Sequence, residues 1–102
     1  MFQTTFGRND MTIKNIAFYS SVTEYERNWS PRPDGYLVAL TKPQFIARAA
    51  IINAPGNYDD FSRTDGGPRM CEVTEEMYRE LTASKDGCVW VLKNNKDWMV
   101  QE

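Results

Sequence analysis

The sequence predicts an α+β fold: a mainly antiparallel sheet of four or five strands, two principal helices packed on it, and a C-terminal β-hairpin. Two segments begin with a capping threonine and continue as helices. Several shorter runs are rich in β-branched and aromatic residues and are bounded by turn residues. The 102 residues are 41% apolar and 25% charged, enough for one hydrophobic core. We therefore expect residues 11–102 to form a single domain and residues 1–10 to form a flexible N-terminal extension.

Two strands are expected in the first 40 residues. The run Thr12–Tyr19 is rich in β-formers, and its apolar residues partly alternate. Residues 36–40, YLVAL, are apolar on both faces, which is typical of an inner strand. Between these runs, Ser21–Glu24 fit a capping box, and a short helix after it would place Tyr25 and Trp29 on one face, although VTEY is also prone to form a strand. The proline-containing segment 30–35 predicts a break that closes in an Asp-Gly turn.

The start of the first principal helix is well marked. Thr41 has Gln44 three residues after it, and Pro43 is tolerated in a first turn, where backbone amides lack helical partners. The helix should run to about Asn53. Because few of its positions are polar, we expect it to be buried on more than one side or to face a partner.

A further strand and helix are expected after a long connection. Residues 54–68 show no usable period over about 15 positions, and loops of that length are usually functional or disordered. Arg69–Val73 can form a short strand. Thr74 then caps a helix from Glu75 to about Ser84, with two acids in the first turn, where the helix dipole favours them.

The C-terminal residues predict a hairpin. Cys88–Leu92 and Asp97–Val100 are both β-prone, and the Asn-Asn pair between them tolerates the positive φ of a tight turn. We therefore expect the two runs to pair in an antiparallel manner, with Val91 opposite Trp98.

Residue types that are missing exclude several functions. The sequence has no histidine, which removes the usual general base and a common metal ligand. Neither GxxxxGK[ST] nor GxGxxG occurs, so the sequence predicts no phosphate cradle. The net charge of −2 and the acidic second half argue against nucleic-acid binding. No apolar run approaches the roughly 20 residues of a membrane span. Cys71 and Cys88 fit small buried residues better than a disulfide or a reactive thiol.

The long connection contains the first candidate site: Tyr58, Asp59, Asp60, Phe61 and Arg63. Two aromatic residues beside two carboxylates suit contact with a partner protein, because aromatics dominate interface energies and the acids could meet basic groups. In the alternative interpretation the aromatics fold back onto the core and the acids face water. A metal or substrate site is a third interpretation, although the spacing lacks the pattern of an EF-hand.

The second candidate site surrounds the proline-containing segment and consists of Arg27, Trp29, Arg32 and Tyr36. Guanidinium groups beside aromatic rings can hold a nucleotide-like anion through stacking and bidentate phosphate contacts. The other interpretations are a protein-binding surface and a solvated turn in which Trp29 covers the core.

These observations predict a small non-catalytic protein-interaction module: a cytosolic binder or inhibitor of another protein, with no cofactor, metal, nucleic acid or membrane among its contacts. Aromatic residues form 13% of the chain, a surplus that a protein partner or a homodimer would cover. Short accessory proteins of this type are frequent in phages and mobile elements. The alternative is a small-molecule binding domain for a nucleotide-like anion. A third hypothesis is an enzyme that uses Asp59 or Asp60 as a base.

Overall fold

The computed structural model describes residues 15–25, 32–54 and 61–100. The described residues form six strands, two α-helices and a stretch of 3₁₀-helix. In chain order these are β1 (Ile16–Tyr25), β2 (Arg32–Ala39), α1 (Lys42–Ile52), β3 (Phe61–Thr64), β4 (Arg69–Val73), α2 (Glu75–Ala83), β5 (Cys88–Leu92), the 3₁₀-helix (Lys93–Trp98) and β6 (Met99–Val100). The predicted extension, residues 1–10, lies outside the described residues. None of the helices in the described part is both long and apolar enough to span a membrane.

The strands form one antiparallel sheet with β1 at its centre. The order across the sheet is β5-β2-β1-β4-β6, and β3 also pairs with β1. On the edge of β1 that faces away from β2, two strands pair with it. The first half of β1 pairs with β4, where Ala17 lies opposite Cys71, and the second half pairs with β3, where Val22 lies opposite Thr64. β3 and β4 therefore follow one another along the same edge of β1.

Both principal helices begin where the sequence predicts. The Thr41 hydroxyl accepts a hydrogen bond from the Gln44 amide at 3.3 Å, and α1 ends at the cap residue Asn53. The Thr74 hydroxyl accepts from the Met77 amide at 3.2 Å, and α2 follows directly. Each cap satisfies a backbone amide that has no partner within its helix.

The two helices contribute to different hydrophobic clusters on opposite faces of the sheet. Successive side chains of a strand point to opposite faces, and on β2 Leu37 and Ala39 join one cluster while Val38 joins the other. The α1-side cluster has the buried members Val22, Leu37, Ala39, Phe45, Ala49 and Cys88. The α2-side cluster has the buried members Ala17, Tyr19, Val38, Cys71, Val73, Met77, Leu81, Val91 and Met99. This confirms the predicted inner strand for residues 36–39, because neighbouring strands and a cluster on each face enclose them; β2 ends at Ala39, one residue before the predicted end.

The predicted C-terminal hairpin is absent. β5 pairs with β2 and β6 pairs with β4, which places them at opposite ends of the strand order. Val91 lies opposite Tyr36 of β2 and not opposite Trp98, and the residues expected to form a tight turn instead form the 3₁₀-helix. The Trp98 carbonyl accepts hydrogen bonds from the Thr74 amide and hydroxyl at 3.2 and 3.1 Å, which holds this segment at the β4 edge.

The helix predicted after Ser21 is also wrong in its described part, because β1 continues as a strand through Tyr25. Val22 is buried in the α1-side cluster, and β1 finds pairing partners on both sides, which outweigh the local capping pattern. β2 correspondingly begins at Arg32, before the predicted turn. Pro33 and Gly35 lie at a β-bulge, where Val22 pairs with Gly35 and the next residue of β1 pairs with Pro33.

The predicted connection 54–68 contains an additional strand, β3. The Asp65 amide donates to the Ser21 carbonyl at 2.8 Å, so the chain remains bonded to β1 beyond the end of β3. Residues 55–60 lie outside the described residues. Arg69–Val73 forms a strand as predicted.

Candidate functional site

The first candidate site lies mainly outside the described residues. Tyr58, Asp59 and Asp60 belong to the segment 55–60, and for Phe61 the structure describes only the backbone at the start of β3. Arg63 is half-buried on β3, and its Nη1 donates to the Ser62 carbonyl at 3.2 Å. The structure thus gives the position where this connection returns to the sheet.

The side chain of Asn53 forms hydrogen bonds that connect the two ends of that connection. Asn53, the cap residue of α1, accepts a hydrogen bond from the Thr64 amide at 3.1 Å and donates one to the Thr64 hydroxyl at 2.8 Å. The next residue, Asp65, accepts from the Thr23 hydroxyl at 2.8 Å. The Asn53 side chain therefore joins the cap of α1 to the last residue of β3. We refer to residues 54–63, which lie between these two positions in the sequence and include the first three residues of β3, as the loop 54–63.

The second candidate site is divided. Arg27 and Trp29 lie outside the described residues, and the side chain of Arg32 is not described, although its backbone begins β2. Tyr36 is half-buried and packs against the α2-side cluster, with its ring centroid 6.1 Å from that of Tyr19. One ring of the predicted group is thus already engaged with the protein core.

The register of the sheet brings the backbone positions of Arg32, Phe61 and Arg63, which come from the two candidate sites, to the same end of β1. Glu24 pairs with Arg32 on one side of β1 and with Ser62 on the other. The final residue of β1, Tyr25, pairs with Phe61. Residues 26–31 follow this end of β1, and residues 55–60 precede β3 at the same end. Two groups separated by about 30 residues in sequence therefore leave the sheet side by side.

The outer side of α1 is exposed, which contradicts the interpretation that this helix is buried on more than one side. Residues three and four positions apart are neighbours on a helix, so one face carries four apolar residues, which we call the outer face of α1: Ile46, Ala47, Ala50 and Ile51. Ile46 is 53% exposed and Ile51 is 69% exposed, and both alanines are exposed. The apolar composition of the helix was the available sign of this surface. Burial inside the domain uses only Phe45, Ala49 and part of Ile52.

An ion pair fixes the position of α1 beside this face. The Arg48 guanidinium contacts the Asp86 carboxylate in the turn after α2. Partial desolvation raises the pKa of Asp86, but hydrogen bonds from Arg48, the Cys88 amide and Ser84 outweigh it and hold the pKa below its ordinary value. The positive charge of Arg48 is therefore compensated within the domain.

A different contact between an arginine and an aromatic ring occurs on the α2 side of the sheet. The guanidinium carbon of Arg69 lies 5.1 Å from the ring centroid of Tyr19, whose ring also contacts Tyr36. This is cation–π geometry. Arg69 and Tyr19 are register partners on β4 and β1, a relationship that requires the strand pairing to be known.

The two cysteines have the character that the sequence favours. Cys71 and Cys88 are both buried and neither forms a disulfide, which contradicts the disulfide alternative. Burial raises the pKa of the Cys88 thiol, and the nearby Asp86 carboxylate raises it further, so this sulfur is a poor nucleophile near neutral pH. In the described ranges, no three His, Cys, Asp or Glu residues are grouped so that they could hold a metal ion.

Three comparisons, with models of protein families, with curated proteins and with solved structures, find no match for this chain. The most distinctive arrangement among the described residues is the exposed apolar face of α1, a helix whose cap residue Asn53 is bonded to the end of β3.

Proposed function

We propose that this chain is a non-catalytic protein-interaction module that binds through the outer face of α1 and the loop 54–63 that follows it. The observation that carries the proposal is the exposure of Ile46 and Ile51 on one helix face, with Ala47 and Ala50 between them. Single exposed apolar residues are common on protein surfaces, whereas a contiguous apolar face is typical of a binding site. We expect the partner to present an apolar surface that packs against α1.

The loop extends the proposed surface with a different chemistry. Asn53 and Thr64 hold its two ends beside the C-terminal end of α1. The sequence of the loop offers Tyr58 and two acidic residues to a partner. Interfaces combine an apolar centre with a polar rim, and α1 followed by this loop has that composition in that order.

Two observations support the proposal that the module is a binder and not an enzyme, and that it acts in the cytosol. The sequence has no histidine, and the Cys88 thiol has a raised pKa, so two common catalytic groups are missing or unreactive. Neither cysteine forms a disulfide, as expected for a reducing compartment. We propose that the module acts as a binder or inhibitor of another protein, in the manner of phage or mobile-element accessory proteins.

Affinity capture from the native host tests the proposal. Wild-type protein and the double variant Ile46→Lys/Ile51→Lys serve as baits, and the captured proteins are quantified by mass spectrometry. Leu92→Lys on β5 is the matched control, because Leu92 is 54% exposed and lies outside the proposed surface. We expect at least one partner that wild type and the control capture and the double variant loses. Retention of every partner by the double variant would contradict the role of α1.

The loop is tested separately with Tyr58→Ala/Phe61→Ala. We expect this variant to weaken capture of the same partner, because aromatic residues supply much of the energy at interfaces. Unchanged capture would remove the loop from the proposed surface and leave α1 in place.

One observation supports the alternative, a small anionic ligand. The backbone positions of Arg32 and Arg63 lie on the strands that flank the end of β1, where Arg27 and Trp29 follow in the chain. A thermal-shift screen against nucleotides separates this function from protein binding, because a ligand at 100 times its dissociation constant adds about 2.7 kcal/mol of stability. If no nucleotide raised the melting temperature, this alternative would be ruled out.

A further inference from the structure

We infer that the protein that packs against α1 is a second copy of this chain, and that the two α1 helices pack antiparallel about a twofold axis. This inference rests on the proposed role of α1 in protein binding and identifies its partner. It follows from three properties of the helix. These are the symmetry of its outer face, its small central residues, and the positive charge of Lys42 at its N-terminal end, where the first turn has no acidic residue.

The outer face of α1 is symmetric about its centre. Ile46 and Ile51 lie at equal distances on either side of the bond between Arg48 and Ala49, and so do Ala47 and Ala50. In a twofold contact, residue i of one copy meets residue j of the other, and j meets i. An antiparallel pair therefore places Ile46 against Ile51 of the second copy, twice, with the alanines between them.

The central alanines allow the helices to approach closely. Helix axes pack about 8–10 Å apart, and the distance depends on the side chains at the contact. Ala47 and Ala50 are short enough for the lower part of this range, while the isoleucines at the two ends fill the space where the helices diverge. Arg48, next to the midpoint of α1 in sequence, lies outside the outer face, and its charge is paired with Asp86 in the same copy, so repulsion between the two Arg48 side chains is reduced.

Charge selects the antiparallel direction. α1 has no acidic residue in its first turn and no basic residue in its last turn, and it begins with Lys42. A cation at a helix N-terminus is unfavourable, because that end of the helix dipole is positive. In an antiparallel pair, Lys42 of each copy lies near the negative C-terminal end of the other helix. A parallel pair would instead bring the two lysines together.

The size of this face predicts a reversible dimer. A standard stable interface buries about 800 Å² per partner, which is more than one face of an 11-residue helix can supply. We therefore expect dissociation on dilution, and we expect the loops that follow the two helices to remain at opposite ends of the contact, available to another protein.

Sedimentation velocity from low micromolar to near-millimolar concentration tests the inference with two double variants. Ile46→Lys/Ile51→Lys brings like charges together in either helix direction. Ile46→Lys/Ile51→Glu brings opposite charges together only when the helices are antiparallel. We expect wild type to shift from one chain to two, the first variant to remain monomeric, and the second to dimerise more weakly as salt is added. Leu92→Lys should follow wild type.

Wild-type protein that is monomeric at every concentration would overturn the inference, and so would identical behaviour of the two double variants. The shared lysine substitution exposes both variants to the same risk of misfolding, and matching circular dichroism spectra verify that both fold. If wild type is monomeric but the lysine variant loses a captured protein, the second copy is rejected and the proposed function stands. If wild type dimerises through α1 but captures no other protein, the inference stands and a binder of other proteins is rejected.

Discussion

Asn53 and Thr64 are joined by two hydrogen bonds that involve both ends of the Asn53 amide, although one residue caps a helix and the other ends a strand. This contact joins α1 to β3 across the loop that carries the first candidate site. Because α1 packs on one face of the sheet and β3 is held by β1, the pair also links the proposed binding helix to the edge of the sheet.

Replacement of Asn53 by alanine should destabilise the protein by about 1–2 kcal/mol, because two hydrogen bonds of about 1 kcal/mol each are lost and both are partly open to water. Urea denaturation measures the change. Thr64→Val removes only the bond to the hydroxyl and should cost less, while Asn94→Ala, at an exposed position of the 3₁₀-helix, should be neutral. An Asn53→Ala variant as stable as wild type would show that the contact contributes nothing to the fold.

Asp86 should make stability depend on pH in the acid range. Its folded-state pKa lies below the ordinary value of 3.8, so the stability that it contributes is present above that value and is lost as the pH falls through the lower folded pKa. Near pH 6, Asp86→Asn should therefore have a lower urea midpoint than wild type. At pH values below 3.8, the midpoints of the two proteins should approach each other. Asp97→Asn, an exposed control, should leave this profile unchanged. A constant difference at all pH values would contradict the role of the ion pair.

Gly35 should not tolerate a side chain. It has a φ of +156°, and a Cβ atom there would lie 2.3 Å from the Val91 carbonyl oxygen on the neighbouring strand. Gly35→Ala must displace β5 from β2, and we expect a loss of about 2–4 kcal/mol in thermal or urea unfolding, in the range of overpacked sites. Gly67→Ala is the control, because nothing lies within 4 Å of its added Cβ. Equal stability of the two variants would refute the close approach of the strands.

Leu81 should be among the costly positions in the core. It is fully buried in the α2-side cluster, so Leu81→Ala should lower the free energy of unfolding by about 2–5 kcal/mol through lost burial and a residual cavity. Leu92→Ala removes the same atoms from a side chain that is 54% exposed and should cost far less. Similar losses for the two variants would mean that α2 does not pack on the sheet in this way.

The helices could be predicted because their signals are local. Thr41 and Thr74 each satisfy an amide three residues away, and apolar spacing indicates which residues turn inward. The strands β4 and β5 were also recognisable from short β-prone runs. β3 was not, because its four residues lie in a stretch without a period, and their strand conformation depends on pairing with β1.

The candidate sites show the same limit. The sequence identifies residues such as Arg32 and Phe61 as separate groups, and their common location at the end of β1 follows from the register of three strands. The apolar character of α1 was visible in the sequence, but its two interpretations, deeper burial or a partner surface, required the exposure of Ile46 and Ile51 to separate them.

The sequence by itself determined where both helices begin and end and which runs are able to form strands. It also determined which kinds of site lack the residues that they need, since histidine and the glycine-rich phosphate motifs are missing. Only the tertiary structure decided that β5 and β6 lie at opposite ends of the sheet, that the segment after Ser21 continues as a strand, and that one face of α1 is exposed. The physical reason is range: capping and periodicity act within a few residues, whereas strand pairing and exposure depend on contacts between distant parts of the chain.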